Sequence, residues 1–385
     1  MRPVRDFCKI DVKILFIVKE TSIMTTTSPK PVQLGLCCIN TILRAQKPPV
    51  FASRTVRQET FNTQGLEHVK SKIEQNLRDV ITMIEWNEKN GIRVMRLSSE
   101  MFPHLSNPNI KPYTIDFARP ILKQIGDTAR QYGHRLTFHP GQFNVVGTPD
   151  RKAFEKTSRD LECHADILDA MELDQDSVMV VHGGGVYGNK YKTILRWCEQ
   201  FYELPENVQR RLVLENCEKN FSIEDCLEVS NAINIPVVFD THHYACYQKL
   251  HPDDQMQLAE TYIPSILETW HKRGIKPKFH VSEQGTGRIG HHSDYIEVIP
   301  DYLLSIPDMY CVEIDVMIEA KMKEQAIFYL YKRYPQVNCA ADKAIYGDGD
   351  GGTDGHDFPT PEWVKQHAIG CECCEGDGMM DLIRF

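Results

Sequence analysis

Residues 236–243 read PVVFDTHH. A proline opens the run, three apolar residues follow, and it closes on an aspartate and two histidines. A short apolar run bounded by turn signals suits a strand buried on both faces, as in a parallel sheet. The polar residues then sit at its carboxyl end. The same pattern recurs in HRLTFHP (134–140), SVMVVHG (177–183), RLVLENC (211–217), PKFHVSE (277–283) and YCVEIDVMI (310–318), the last followed by Glu319. VQLGLCCI (32–39) and RVMRLSS (93–99) bring the strand candidates to eight.

Longer amphipathic stretches lie between them, at 66–90, 116–132, 153–172, 190–203, 222–234, 256–273, 294–304 and 320–333. Strand followed by helix, eight times, predicts an α/β fold, a (β/α)8 TIM barrel, with a doubly wound sheet as the alternative. The barrel is expected over residues 32–334. Residues 1–31 read as a disordered extension, and residues 335–385 as a linker, YGDGDGGTDGHD (346–357), leading to a cysteine-containing tail, GCECCEGDG (370–378). The early apolar run ILFIV (14–18) is too short, and too charged at its edges, for a signal peptide. Met24 is a second candidate start. No stretch approaches the roughly 20 apolar residues that a membrane span needs, so no membrane partner is expected.

Lys and Arg number 44 against 53 Asp and Glu, for a formal charge of -9. That balance argues against coating nucleic acid by bulk charge, but allows a local basic groove. Arg44, Lys47, Arg54, Arg151, Lys190, Lys192, Lys219 and Arg288 lie in the expected loops after strands, and the tail adds acidic residues. Thirteen scattered cysteines suit a reducing, intracellular setting rather than a disulfide scaffold. Nucleus, cytosol and a viral setting all stay open.

In such barrels chemistry sits at the carboxyl ends of the strands. Six consecutive strands here end in His, Asp or Glu. Residues two apart on a strand share a face, so Lys278 and His280 point the same way, as do Val213 and Glu215. Several imidazoles and three carboxylates in one mouth call for divalent cations. Mixed nitrogen and oxygen ligands suit zinc or manganese, and a bridging carboxylate suits a cluster. Two reactions follow from the residues: attack of activated water on an ester, phosphate or glycosidic centre, or sugar isomerisation.

SSEMFPH (98–104), FHPGQF (138–143), LENCEKN (214–220), DTHH (240–243), KPKFH (276–280), HHSDY (291–295) and DVMIEAKMKEQA (315–326) together resemble the UV damage endonuclease family. That family is a branch of the endonuclease IV-like and xylose isomerase-like barrels. The likeness runs from about residue 34 to 332. It implies a DNA repair nuclease, acting as a monomer on UV-damaged double-stranded DNA. Such an enzyme nicks immediately 5′ of a photoproduct and leaves 3′-hydroxyl and 5′-phosphate ends. It also implies two or three divalent metals, manganese first, with magnesium, cobalt or zinc as alternatives. Carried over by position, His139, His182 and Glu215 form one ligand group. Glu215 bridges to a second metal shared with Asp240, His280 and Glu319, and His243 and His292 match a third group. His291 competes with His292, and the Ser-Asp that follows favours His292.

Lys278 matches a lysine that is carboxylated in the family. As an unmodified ammonium it would instead contact phosphate. Glu215, Lys278 and His104 are the expected catalytic residues. Gln142 and Phe143 match a Gln–Tyr pair that wedges into the duplex while the damaged dinucleotide flips out. Phe143 keeps an aromatic face without the hydroxyl, and packing of its own loop is the competing reading. Asn40 fits a lesion-contacting asparagine, although Leu36 stands where a tyrosine is commoner. An abasic-site endonuclease, a sugar isomerase of the same superfamily and a non-enzymatic damage-binding module are the alternatives.

Three further signals carry less. His367, Cys371, Cys373 and Cys374 match no common zinc spacing. Asp348, Asp350 and Asp354 lack the twelfth-position glutamate of a calcium loop, which is Pro359. GGG at 183–185 lacks the phosphate-loop form, so no nucleotide cofactor is expected.

Overall fold

The computed structural model describes residues 31–337 and 359–367. The amino-terminal extension, the linker aspartates and Cys371, Cys373 and Cys374 lie outside the described residues.

All eight expected strands are present: β1 Val32–Cys37, β2 Val94–Arg96, β3 Arg135–Thr137, β4 Met179–His182, β5 Leu212–Glu215, β6 Val237–Asp240, β7 Lys278–Val281 and β8 Ile314–Ile318. Every pairing is parallel, in the order β3-β2-β1-β8-β7-β6-β5-β4. The ring closes through a bridge between Phe138 and Met179, where Phe138 N donates to Val178 O and Val180 N to Phe138 O, both at 3.0 Å. The protein is thus a (β/α)8 barrel. The strands are short and almost wholly buried, as their unbroken apolar runs require.

The helices are α1 Thr41–Ala45, α2 Gln58–Lys89, α3 Arg119–Tyr132, α4 Arg151–Ala170, α5 Lys190–Phe201, α6 Glu206–Gln209, α7 Ile223–Ile233, α8 Thr241–Leu250, α9 Ile263–Arg273, α10 Asp301–Leu304, α11 Ile306–Tyr310, α12 Glu324–Arg333 and α13 Pro361–His367. Helix α2 starts earlier than the pattern predicts and breaks at Gly65, where φ is 77°. Helix α8 is unforeseen, because DTHH reads as a strand end. Asp240 serves as both strand end and helix cap, its Oδ1 accepting from His243 N at 2.6 Å.

The stretch 294–304 is mostly not helical. Glu283 accepts from the backbone of Glu297 at 2.8 Å and Val298 at 2.9 Å, and Pro300 restricts the residue before it. Residues 306–310 are helical rather than leading into the last strand. In the carboxy-terminal segment, α13 buries Val364 in the core, and Lys365 lies 3.5 Å from Asp294.

The barrel interior mixes apolar packing with charge. Asp315 is fully buried between Arg135 at 2.8 Å and Lys276 at 2.7 Å. No helix among the described residues is long and apolar enough to cross a membrane. None of the eight described cysteines forms a disulfide.

Gly126 in α3 lies close against Met171, the residue that ends α4. A Cβ there would sit 1.7 Å from the carbonyl oxygen of Met171. Gly126→Ala should therefore lower stability by about 1–3 kcal/mol in denaturant unfolding, against its gain in helix propensity. A variant at least as stable as the parent would show that α3 and α4 part freely.

Candidate metal centre

Strand register places the polar ends at matching heights. His182 pairs with Glu215, Asp240 with His280, and Glu319 N donates to Val281 O at 2.9 Å. Asn216 locks the tops of β5 and β6: its Nδ2 donates to Asp240 O at 3.0 Å and its Oδ1 accepts from Asp240 N at 2.8 Å.

Glu215 lies at the centre and is fully buried. His139 Nε2 is 3.0 Å from its Oε2 and His280 Nδ1 is 2.8 Å from its Oε1. His182 stands at 3.9 Å and His243 at 3.5 Å. Ligand-capable atoms gather in three overlapping groups: His139, His182 and Glu215; Glu215, Asp240 and His243; Asp240, His280 and Glu319. Within each group they lie within 4.8 Å of one another. Glu215 and Asp240 each belong to two groups, as shared ligands of a cluster would.

The charges agree with that. Burial opposes ionisation of Glu215, but the His280 and His182 imidazoles and two hydrogen bonds hold its carboxyl well below the usual range. Burial pushes Asp240 up to about 6 and His280 down to about 4. His243, despite its burial, is pushed up to about 9 by Asp240, Glu215, Glu218 and Glu319. A field that retains a proton to that pH favours cations generally, and a dication would displace the proton. Asp240 Oδ2 is buried with no hydrogen-bond partner among the described residues. A buried acceptor left in this way is costly, and a metal ion would satisfy it. The donor set, imidazole with carboxylate, fits divalent ions of the zinc and manganese type.

His292, rather than His291, faces this cluster. Its Nε2 is 3.9 Å from Glu319, while His291 Nε2 accepts from Arg288 Nε at 3.0 Å. Lys278 lies two residues below His280, fully buried, and donates to Thr137 Oγ1 at 2.9 Å. Burial, with Arg135 and Arg96 nearby, pushes it down to about 7. His104 sits in a left-handed backbone (φ 65°) with Nε2 2.6 Å from Val56 O, its ring edge-on to Phe61. Asn40 is 1% exposed and caps α1, accepting from Leu43 N at 2.8 Å. Gln142 and Phe143 stand on an exposed turn that Asn144 anchors through Asp160 Oδ2 at 2.9 Å. Phe143 is 64% exposed, with its ring lying over Gly141 of the same turn, where a Cβ would meet its Cε1 at 2.6 Å.

Pattern reading missed Arg96 on β2. Its guanidinium bonds Glu319 and lies 3.5 Å from His280 Nε2, so it orients two candidate ligands at once. The alternation of RVMRLSS could have pointed inward to it. Glu218 was missed as well: burial opposes its ionisation, yet His243 and His182 lower its carboxyl. The expected basic rim is thinner than its composition. Arg54 pairs with Asp79 at 2.7 Å, Lys190 with Asp225 at 2.8 Å, and Arg151 with Glu203.

Fold and site together define a parallel α/β barrel whose carboxyl mouth carries buried His, Asp and Glu groups that could hold metal ions. The family described as UV-endonuclease UvdE matches residues 32–346, and the chain belongs to that family. A UV-damage endonuclease of Schizosaccharomyces pombe is 39% identical over 326 residues, covering 82% of this chain and 53% of its own length. A relative from Acanthamoeba polyphaga mimivirus is 38% identical over 317 residues, covering 81% of this chain and 94% of its own. The crystal structure of SacUVDE superposes with a TM-score of 0.68 at 27% identity, covering 79% of this chain and 99% of that one.

The buried amine of Lys278 yields a pH prediction for metal-free protein. Its pKa is depressed from 10.5 to about 7, so the unfolded state binds more protons between those values, and folding stability attributable to this group rises with pH across that window. Lys278→Met should be the more stable protein near pH 7, with its advantage shrinking by pH 9. Urea titrations at the two pH values that gave an unchanged difference would contradict the assignment.

Proposed function

We propose that this protein is a metal-dependent UV damage endonuclease that hydrolyses the phosphodiester immediately 5′ of a photoproduct. The observation that carries this reading is the triple ligand group around buried Glu215, in a chain of this family. Two or three divalent ions, manganese by resemblance, would supply Lewis-acid charge and activate the attacking water.

The chain's own residues do the positioning. Glu215 and Asp240, each in two of the ligand groups, would help hold the ions, and Arg96 fixes Glu319. Lys278, with an amine depressed to about 7, is a nucleophile for carbon dioxide near neutral pH. As a carbamate it would add negative charge below the cluster. As an amine it would leave that charge to the carboxylates alone. Gln142 and Phe143 project from the mouth, where an aromatic face can replace a lost base stack. Photoproducts weaken pairing and stacking, so a protein that distorts the duplex finds them without reading sequence. The substrate is double-stranded DNA, met by a monomer in a reducing, intracellular setting.

With manganese, the protein should nick a duplex carrying one thymine dimer, on the 5′ side, and leave undamaged duplex intact. Absence of nicking with manganese, magnesium, cobalt and zinc alike would end this reading, and cleavage confined to abasic sites would redirect it. Glu215→Ala should lose at least about 100-fold in nicking rate, since loss of a ligand exceeds the 10–100-fold typical of outer-shell changes. Binding to the dimer duplex should persist. Phe143→Ala should weaken dimer binding, and Phe143→Tyr should not.

A further inference from the structure

The loop after β4, GGGVYGNK (183–190), does something the metal centre does not need. It leaves the barrel from the candidate ligand His182 and therefore lies on the carboxyl mouth. Tyr187 at its tip is 46% exposed, and its φ is 47°. Bulky side chains avoid the left-handed region, so the surrounding structure must hold this one there. Gly188 follows at φ 78°. Behind the tip, Val186 O accepts from Asn189 N at 3.0 Å and Thr193 Oγ1 at 2.8 Å. No hydrogen bond engages the Tyr187 hydroxyl among the described residues.

This loop is packed against the loop of Phe143. A Cβ on Gly184 would meet Val145 Cγ1 at 3.0 Å, and one on Gly147 would meet Trp197 at 2.9 Å. Arg196 on α5 joins the two loops. Its Nε donates to Gly147 O at 2.8 Å, and its guanidinium lies 5.6 Å from the Tyr187 ring centroid. The cation stiffens the ring's position. Two exposed aromatic rings are thus set on neighbouring, mutually braced loops that lead from two candidate metal ligands, His139 and His182.

We infer that Tyr187 is a second stacking contact for the distorted duplex, taking an unstacked base beside the step that Phe143 enters. The inference rests on the nuclease reading above. An aromatic ring serves any base, because every base has a π face. This suits an enzyme that must accept any sequence around its lesion.

The test compares wild type with Tyr187→Phe, Tyr187→Gly and Tyr202→Ala, in full-length protein, on dimer-containing and undamaged duplexes. Tyr187→Gly keeps the left-handed backbone and removes the ring. Tyr202, 63% exposed at the other end of α5, is the control. Stacking is worth about 1–3 kcal/mol per base, so Tyr187→Gly should weaken dimer binding by roughly 5- to 150-fold. Its effect on undamaged duplex should be smaller. It should also raise the fluorescence of 2-aminopurine placed beside the dimer. Tyr187→Phe and Tyr202→Ala should match wild type in both readouts, and thermal melting confirms that each variant folds. If wild type nicks the dimer duplex and Tyr187→Gly binds and reports 2-aminopurine as wild type does, the stacking role is overturned and the nuclease reading stands. A wild type that neither nicks nor binds the dimer duplex overturns both.

Discussion

A carboxylate shut away from water has to be answered by positive charge. Glu215 is such a group, and four imidazoles, from the loop after β3 and from β4, β7 and α8, converge on it. An isolated buried ion would cost several kcal/mol, so the arrangement stands only while those partners hold their places. That requirement sets much of the architecture. Parallel strands must end at one level, register must pair His182 with Glu215 and Asp240 with His280, and Asn216 must tie two strand tops together. Even so, the balance is incomplete: neighbouring carboxylates push His243 up to about 9, while Asp240 Oδ2 has no hydrogen-bond donor among the described residues. A mouth in that state is prepared for cations.

Much of this was legible in the chain. Eight apolar runs with polar ends gave the strands, because a strand buried on both faces has no alternation to obscure it. Most candidate ligands followed, since His182, Glu215, Asp240 and His280 fall in the last residues of strands and His139 and Glu319 just beyond them, whereas His243 lies in α8 and His292 in the loop after β7. What stayed hidden belongs to other kinds of contact. Asp240 has two jobs, strand end and cap of α8, and only the second shows that a helix follows at once. Glu283 looked like another acidic strand end, yet it takes two backbone amides of its own loop. Arg96 comes from β2, two strands from β8 in the sheet, and nothing local announces that Glu319, 223 residues away in sequence, is its partner. Asn40 matches by position, but the fold spends its side-chain oxygen on a helix cap.

The charge of -9 also acquires a distribution. Several basic residues near the mouth are already paired with carboxylates, so attraction of DNA by loose surface cations is modest. Bound dications would then supply most of the local positive field.

The ring of strands has a consequence for how the molecule is made. Strand β1 is flanked by β2 on one side and β8 on the other, and Thr41 in α1 is held by Glu324, 283 residues later. At translation speeds of about 5–20 residues per second, β1 waits roughly 15–55 s for its second neighbour. Glu319 arrives directly behind that strand, so the last candidate ligand emerges from the ribosome together with the closing of the barrel. A nascent chain therefore lacks the full set of candidate ligands until its last strand is in place.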